Sequence, residues 1–520
     1  MNRIGRLLFL CLALAPALGA CAAGALRAPG MPAEAALARP EETALWYALV
    51  PPEEAAADRS GFFMLEGGLD AYETRLVAIE AAARTVDLQY YIWDFDGSGR
   101  AISEALFRAA DRGVHVRALV DGYLIDNSAE PLKQIEQHPN IEVRIYNAFR
   151  TSFWPRFLRY GELLLDFPRL NQRMHNKIIA VDNTVAIVGG RNVNDTYFAL
   201  DEEHYFLDRD VVIAGPLVKE VSASFDAFWN SPYAVPVSDF VEGEVMPFSL
   251  TTIWNETFAY DMEAFPLPRR IEVMDLADKF GELQRRFVWA PGALSLTAPG
   301  PVFSDGAPPP EKRIENVMLA HVDASQEDII VQMPYVMMTD AREAALTKAH
   351  ERGVGVALNT NSLASHDSAL VHYGFARDRQ RFSRSGTDIY ELKDKPHTSR
   401  GMPGLGLTPE KTTLHSKTLV FDRRYVFLGS FNLDYRSLRY NSEIGILIDS
   451  PRLASRVRNA ILSDMAPVNS WHMVIEPPGK TVWLDESETP PLRFDTEPNA
   501  SFLARFTVWL GYILPIDDLL

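Results

Sequence analysis

The sequence predicts an α/β protein made of two similar halves, each a mixed or parallel β-sheet flanked by helices, related by a pseudo-two-fold. Three observations predict it. RMHNKIIAVDNTVAIVGGRNVND places His175, Lys177, Asp182, Gly189 and Asn192 at a constant offset of 240 residues from their counterparts in TLHSKTLVFDRRYVFLGSFNLD. Those counterparts are His415, Lys417, Asp422, Gly429 and Asn432. Arg112-Gly113-Val114 and Arg352-Gly353-Val354 each lie 63 residues before the histidine of their half, so the repeat extends well beyond the motif. Finally, helical stretches and apolar strands alternate in both halves, an order that favours parallel strands under helical cover.

At the N-terminus, MNRIGRLLFLCLALAPALGACAAG has two arginines, a short apolar run and a small-residue end, which predicts a signal peptide over 1–20. Leu18-Gly19-Ala20-Cys21 resembles a bacterial lipobox, so Cys21 is the expected lipidation site of an exported, lipid-anchored protein of the cell envelope. Cys11 would leave with the signal. A single remaining cysteine excludes a disulfide framework and a thiolate metal cluster. Residues 21–45, rich in Ala and Pro, read as a tether.

The first half, 46–235, contains the helix DAYETRLVAIEAAA, the strand VDLQYYIW, the helix AISEALFRAADRG and the strand VHVRALVD. Residues 236–310 are irregular and end in Pro308-Pro309-Pro310, as expected of a linker or an inserted cap. The second half, 311–465, repeats the plan with RIENVMLAHVDA, DIIVQMPYV, AREAALTKAHERG and VGVALNTN. A tail, 466–520, closes with Phe502, Leu503, Phe506, Trp509, Leu510, Ile513 and Leu514 at helical spacing. That stripe fits either a helix docked on the protein or an interfacial membrane helix.

A net charge of −18 weighs against nucleic acid as the main partner. Local basic clusters around the second motif, such as Lys411, Arg423 and Arg436, suit a smaller phosphate.

In each motif the histidine and lysine stand two residues apart in a strand-like run, so both project to one face, and the aspartate falls at the turn. Asp182 and Asp422 join the histidines and lysines as candidate catalytic residues. Histidine serves as a nucleophile or a general acid, and a neighbouring lysine supplies positive charge for phosphodiester oxygens. Two motifs brought face to face would set two histidines and two lysines around one phosphorus. One histidine then attacks while the other protonates the leaving oxygen, with no metal or cofactor required. Asn192, Ser430 and Asn432 are candidate phosphate donors. A nucleophilic imidazole also needs its other nitrogen held. Asp210, in FLDRDVVIAG, and Glu443, in RYNSEIGILI, are the candidate orienters.

HxKxxxxD followed by GxxN, twice in one chain, resembles the phospholipase D superfamily. The stretches LQYYIWDFDGSGR, ADRGVHVRALVDG, GGRNVND and TNSLASHDSALVH are similar to the bacterial cardiolipin synthases within it. The resemblance implies a duplicated phospholipase D fold with one active site at the interface. It also implies a phosphohistidine on His175, with His415 as the acid, and phosphatidyl transfer between phospholipids. Phosphatidylglycerol is the expected substrate, with phosphatidylethanolamine as a further candidate, at a membrane. One departure stands out: Gly189-Gly190-Arg191-Asn192 where the commoner pattern has Gly-Ser, so the two half-sites are unequal. A hydrolytic phospholipase D, a nuclease and a non-catalytic lipid-binding lipoprotein stay open as alternatives. Asp94–Gly99 imitates a calcium loop, but its twelfth position is Ala105, so a helix cap is expected there.

Overall fold

The computed structural model describes residues 33–125, 129–149, 161–162, 165–239, 276–300, 310–397 and 409–513. The signal segment, Cys21, part of the tether, most of 236–310 and the last residues of the tail lie outside the described residues.

Two large mixed sheets form the protein. The first runs in the order Val288–Ala290, Ser60–Leu65, Asp210–Ala214, Val185–Gly189, Ile178–Val181, Thr85–Tyr90, His115–Asp121, Ile141–Tyr146 and Ala234–Pro236. The second runs Gly292–Leu296, Ile444–Asp449, Tyr425–Gly429, Thr418–Phe421, Asp328–Gln332, Gly355–Asn361, Thr387–Leu392, Ser470–Glu476, Lys480–Asp485 and Leu492–Phe494. In each, three strands are parallel and the motif forms an antiparallel hairpin beside them.

Strand periodicity explains how the sheets join. Ile178 and Ala180 point into a core shared with Val420, Val426 and Leu428 of the other half, whereas Ile179 and Val181 point to the first half's own helices. Leu217–Trp229 and Pro451–Asp464 also enter the shared core through Val218, Val221, Val457 and Ile461. Two sheets with apolar residues on both faces are thereby buried on both sides.

Two segments differ from the sequence expectation. The described part of 236–310 is more than a linker: Val288–Ala290 pairs with the first sheet and Gly292–Leu296 with the second. Only Pro291 separates those two edge strands. The tail likewise adds three strands to the second sheet through Ser470–Glu476, antiparallel to Thr387–Leu392. Their β-branched and aromatic content, as in SWHMVIE and KTVWLD, is the signal that this pairing uses. As expected, Asp96 caps the helix Gly97–Asp111 by accepting from the Gly99 amide.

Candidate active site

Each half delivers its histidine onto the other half's backbone. Lys411–Leu414 pairs in parallel with His204–Leu207, and the His415 and Ser416 amides donate to the Leu207 carbonyl at 2.8 and 3.1 Å. In the mirror arrangement Met174 bridges Ser442, and the His175 amide donates to the Ser442 carbonyl at 2.9 Å. The residues that follow Leu207 and Ser442 are Asp208 and Glu443. Each imidazole therefore meets a carboxylate from the opposite half. His175 Nδ1 lies 3.0 Å from both Glu443 oxygens, and His415 Nδ1 lies 2.6 Å from Asp208 Oδ2.

The lysines complete a buried quartet. Lys177 Nζ donates to the His175 carbonyl at 2.6 Å and lies 5.4 Å from the Tyr91 ring centroid. Lys417 Nζ donates to the His415 carbonyl at 2.5 Å and also lies 2.9 and 3.1 Å from that ring's two nitrogens. Aromatic edges pack around both imidazoles: Tyr91 on His175 at 5.2 Å, Tyr197 and Phe206 on His415 at 5.1 and 5.3 Å.

Burial governs the charges. It brings His175 down to about 4, against the pull of Glu443 and with the help of Lys177. Burial, Lys417 and Lys177 together hold His415 well below the usual histidine value. Burial also lowers Lys417 to about 8, although Asp208 and Glu443 oppose it. The Glu443 carboxyl is pushed up by burial, but His175 and Lys177 outweigh this and leave it below its ordinary value. Asp208 is pushed up by burial. Both imidazoles are thus neutral at neutral pH. An ionised Glu443 can only accept, so the His175 proton sits on Nδ1 and Nε2 keeps its lone pair.

The sequence family described as "Cardiolipin synthase, PLD-like domain" matches residues 76–229 and 318–465. The chain belongs to that family. It is a phospholipase D superfamily enzyme. Cardiolipin synthase C of Escherichia coli (strain K12) is 35% identical over 465 residues, covering 88% of this chain and 96% of that one. An uncharacterized protein of Helicobacter pylori (strain ATCC 700392 / 26695) is 30% identical over 471 residues, 89% of this chain and 90% of its own. The crystal structure of phosphatidylserine synthase from Haemophilus influenzae Rd KW20 shares the duplicated fold, with a TM-score of 0.55 at 14% identity. It covers 91% of this chain and 96% of that one.

Within this PLD-like framework several side chains sit differently from the sequence expectation. Asp210 orients no histidine. Its carboxylate is bound by Arg75 at 2.8 Å and Arg191 at 3.1 Å, all three buried. The sheet register shows why. Gly189 pairs with Asp210 and Gly429 pairs with Gly445, so the counterpart of Glu443 is Asp208, two residues earlier. A usable signal existed: Asp208 precedes Pro216 by eight residues, as Glu443 precedes Pro451. Those prolines mark the start of the next helix in each half.

The same comparison explains Gly190. A Cβ there would lie 2.5 Å from Asp208 Oδ2, so a serine would push that carboxylate from its place beside His415. Ser430, in the matching place, donates to Glu443 and accepts from the Ile444 amide. It positions the carboxylate and does not face a phosphate as a free donor. Asn192 is held by the Ile92 amide at 3.2 Å and by the Tyr197 hydroxyl at 3.0 Å, whereas Asn432 Oδ1 is buried with no partner among the described residues.

Contrary to the sequence expectation of a catalytic role, Asp182 and Asp422 take no part in the quartet. Asp182 accepts from the amides of Ala83, Arg84 and Thr85 at 2.8–2.9 Å, and Asp422 from those of Gln326 and Glu327 at 2.8–3.0 Å. Both sit at positive φ, 50° and 51°, in the turn that starts each hairpin's return. They tie that turn to the start of the parallel strand beside the hairpin, Thr85–Tyr90 in one half and Asp328–Gln332 in the other. Outside the cleft, ligand atoms of Glu34, His115 and Glu142 lie within 4.8 Å of one another, but Arg144 and His115 already pair with the two carboxylates.

These placements separate two neighbouring aspartates by experiment. Asp210→Asn is expected to cost about 3–5 kcal/mol in denaturant unfolding, because two buried guanidinium groups lose their counter-charge. Asp208→Asn is expected to lower turnover by about 10²–10⁴-fold, because His415 loses its orienting acceptor. A folded Asp210→Asn enzyme slower than Asp208→Asn would reverse the assignment.

Proposed function

We propose that the enzyme transfers a phosphatidyl group between phospholipids through a phosphohistidine on His175. The observation that carries this is the crossed pair of histidine–carboxylate contacts, which leaves one nucleophilic Nε2 and one second imidazole in a single cleft. His175 Nε2 attacks phosphorus, an N–P bond forms and the P–O bond to the first alcohol breaks. His415 gives that oxygen its proton, and the alcohol leaves. In the second half-reaction His415 takes the proton of an incoming hydroxyl, whose oxygen attacks phosphorus and releases His175. Lys177 and Lys417 face the charge on the non-bridging oxygens. Asn432 and the remaining N–H of Asn192 are the candidate amide donors to the phosphate, one from each motif.

The unequal surroundings support this division. Lys417 lies against the ring of His415, while His175 keeps its Nε2 clear of its own lysine. On the His415 side, Tyr335 stands 6.3 Å away ring to ring and its hydroxyl donates to Asp367 at 2.6 Å. Burial pushes the Asp367 carboxyl up, but His366 and Tyr335 outweigh it and hold it below the usual range. An ionised carboxylate there suits an alcohol that carries a second hydrogen-bond donor, as glycerol and ethanolamine do. The relatives named cardiolipin synthase support glycerophospholipid substrates, with phosphatidylglycerol first and phosphatidylethanolamine as a further donor. The lipobox-like sequence at Cys21 supports an envelope location.

Mixed vesicles of phosphatidylglycerol and phosphatidylethanolamine test the reading. Cardiolipin is expected to form faster than phosphatidic acid. Phosphatidic acid as sole product at every acceptor concentration would make the enzyme a hydrolase.

The pH dependence has a definite sign. His175 must be unprotonated to attack, and its value of about 4 satisfies this throughout the neutral range. His415 must carry a proton for the first step although its free value is depressed, so the productive complex takes one up. With a lipid diester, kcat/KM is expected to fall about tenfold per unit as pH rises through the neutral range. The fall steepens above about 8, where Lys417 loses its charge. A flat kcat/KM across the neutral range would show that His415 does not supply the proton.

A further inference from the structure

The parallel strands of both halves end on the side where the cleft lies. Thr85–Tyr90 leads into Tyr91 against His175, and Asp328–Gln332 leads into Tyr335 beside His415. Asp121, closing His115–Asp121, accepts from the Met174 amide, and Asn361, closing Gly355–Asn361, accepts from the Leu414 amide. Just beyond two of these strand ends the surface turns apolar. Tyr123 and Leu124 are exposed in the first half. In the second, the helix Phe502–Gly511 packs Val508 with Met337, Leu363 and Tyr373.

That helix is docked on one side only. Gly511 sits so close to the Tyr373 ring that a Cβ would collide with it, which sets the helix tightly on Ala369–Arg384. Its other side presents Phe502, Leu503, Phe506 and Trp509, with Ile513 just past its end, between 42% and 82% exposed, while Tyr512 packs edge-on against Tyr373 at 4.8 Å on the docked side. Phe506 stacks between Phe502 and Trp509, with ring centroids 6.4 and 5.5 Å apart. A contiguous patch of this kind on a protein surface marks a binding face. The docked-helix reading of the tail thus holds for one side of the helix, and the other side is exposed.

We infer that this aromatic face, with Tyr123 and Leu124 across the cleft, seats the enzyme on a phospholipid bilayer with the cleft opening onto it. The inference rests on the lipid-substrate reading above. Trp and Tyr prefer the headgroup level, where an apolar body meets a polar tip. Among the described residues no helix is long and apolar enough to cross a membrane, so the ten-residue helix lies on the surface. A net charge of −18 opposes attraction to anionic lipid, which leaves apolar insertion to carry the binding. The position argues for the occupant: the helix packs on Met337 and Leu363, just past the strand ends that carry the site, the side from which a lipid substrate must approach.

The test uses the full chain with Cys21→Ser, so that a lipid on that residue cannot mask the effect. Flotation with phosphatidylglycerol–phosphatidylethanolamine vesicles is compared for this chain and for the same chain carrying Phe506→Glu and Trp509→Glu. Turnover of bis-p-nitrophenyl phosphate reports whether the cleft is intact. Vesicle partitioning is expected to fall about 100-fold or more, with unchanged turnover of the soluble diester. Equal flotation of the two proteins would overturn the inference. So would a parent chain that stays off vesicles and self-associates through this face in sedimentation, the glutamates abolishing the association. If cardiolipin forms under no condition, the transfer reading fails, yet flotation still decides the docking surface.

Discussion

His175→Ala is expected to abolish the covalent phosphoenzyme and to lower turnover by about 10⁴-fold or more, as loss of a nucleophile does in other covalent mechanisms. The size of the effect follows from the geometry. Glu443 holds Nδ1 at 3.0 Å and Ser430 and Ser437 hold Glu443, so the imidazole cannot be replaced by a neighbour without rebuilding that chain of bonds. His415 is not a substitute, because its ring is engaged by both Asp208 and Lys417. Rapid acid quench with a phosphorus-labelled diester measures the intermediate directly. Near-normal turnover by His175→Ala would end the phosphohistidine mechanism.

His415→Ala is expected to lower lipid transfer by about 10²–10⁴-fold, the range for loss of a general acid, while an activated p-nitrophenyl diester still phosphorylates His175. The nitrophenolate leaves without a proton, so its departure does not need the missing imidazole. Return of activity to water or alcohol should remain slow, because the second step lacks its base. The variant should therefore accumulate phosphoenzyme and give a burst followed by a slow steady state. Equal losses on the lipid and on the activated diester, with no burst, would place His415 outside the proton transfer.

The sequence alone determined the duplication, the α/β class and the identity of the paired histidines and lysines. Five matched positions at one offset are a property of the one-dimensional order, and strand periodicity then puts each histidine beside its lysine. Glu443 was legible for the same reason, as a carboxylate entering an apolar strand. Asp208 was legible only through its equal distance to the next helix, since Asp210 looks identical two residues on. Only the tertiary structure decided between them. Asp208 lies in the short link between His204–Leu207 and Asp210–Ala214, and what separates it from Asp210 is the partner each meets: a histidine of the other half or two arginines of its own. The motif aspartates were likewise settled by long-range contacts, because an acceptor for the amides of residues 83–85 cannot be seen from position 182. The crossing of each histidine to the other half's carboxylate was decided by pairing between chain segments 207 residues apart or more. Local propensity carries no information about such pairing; it arises only when the two sheets bury their shared apolar faces against each other.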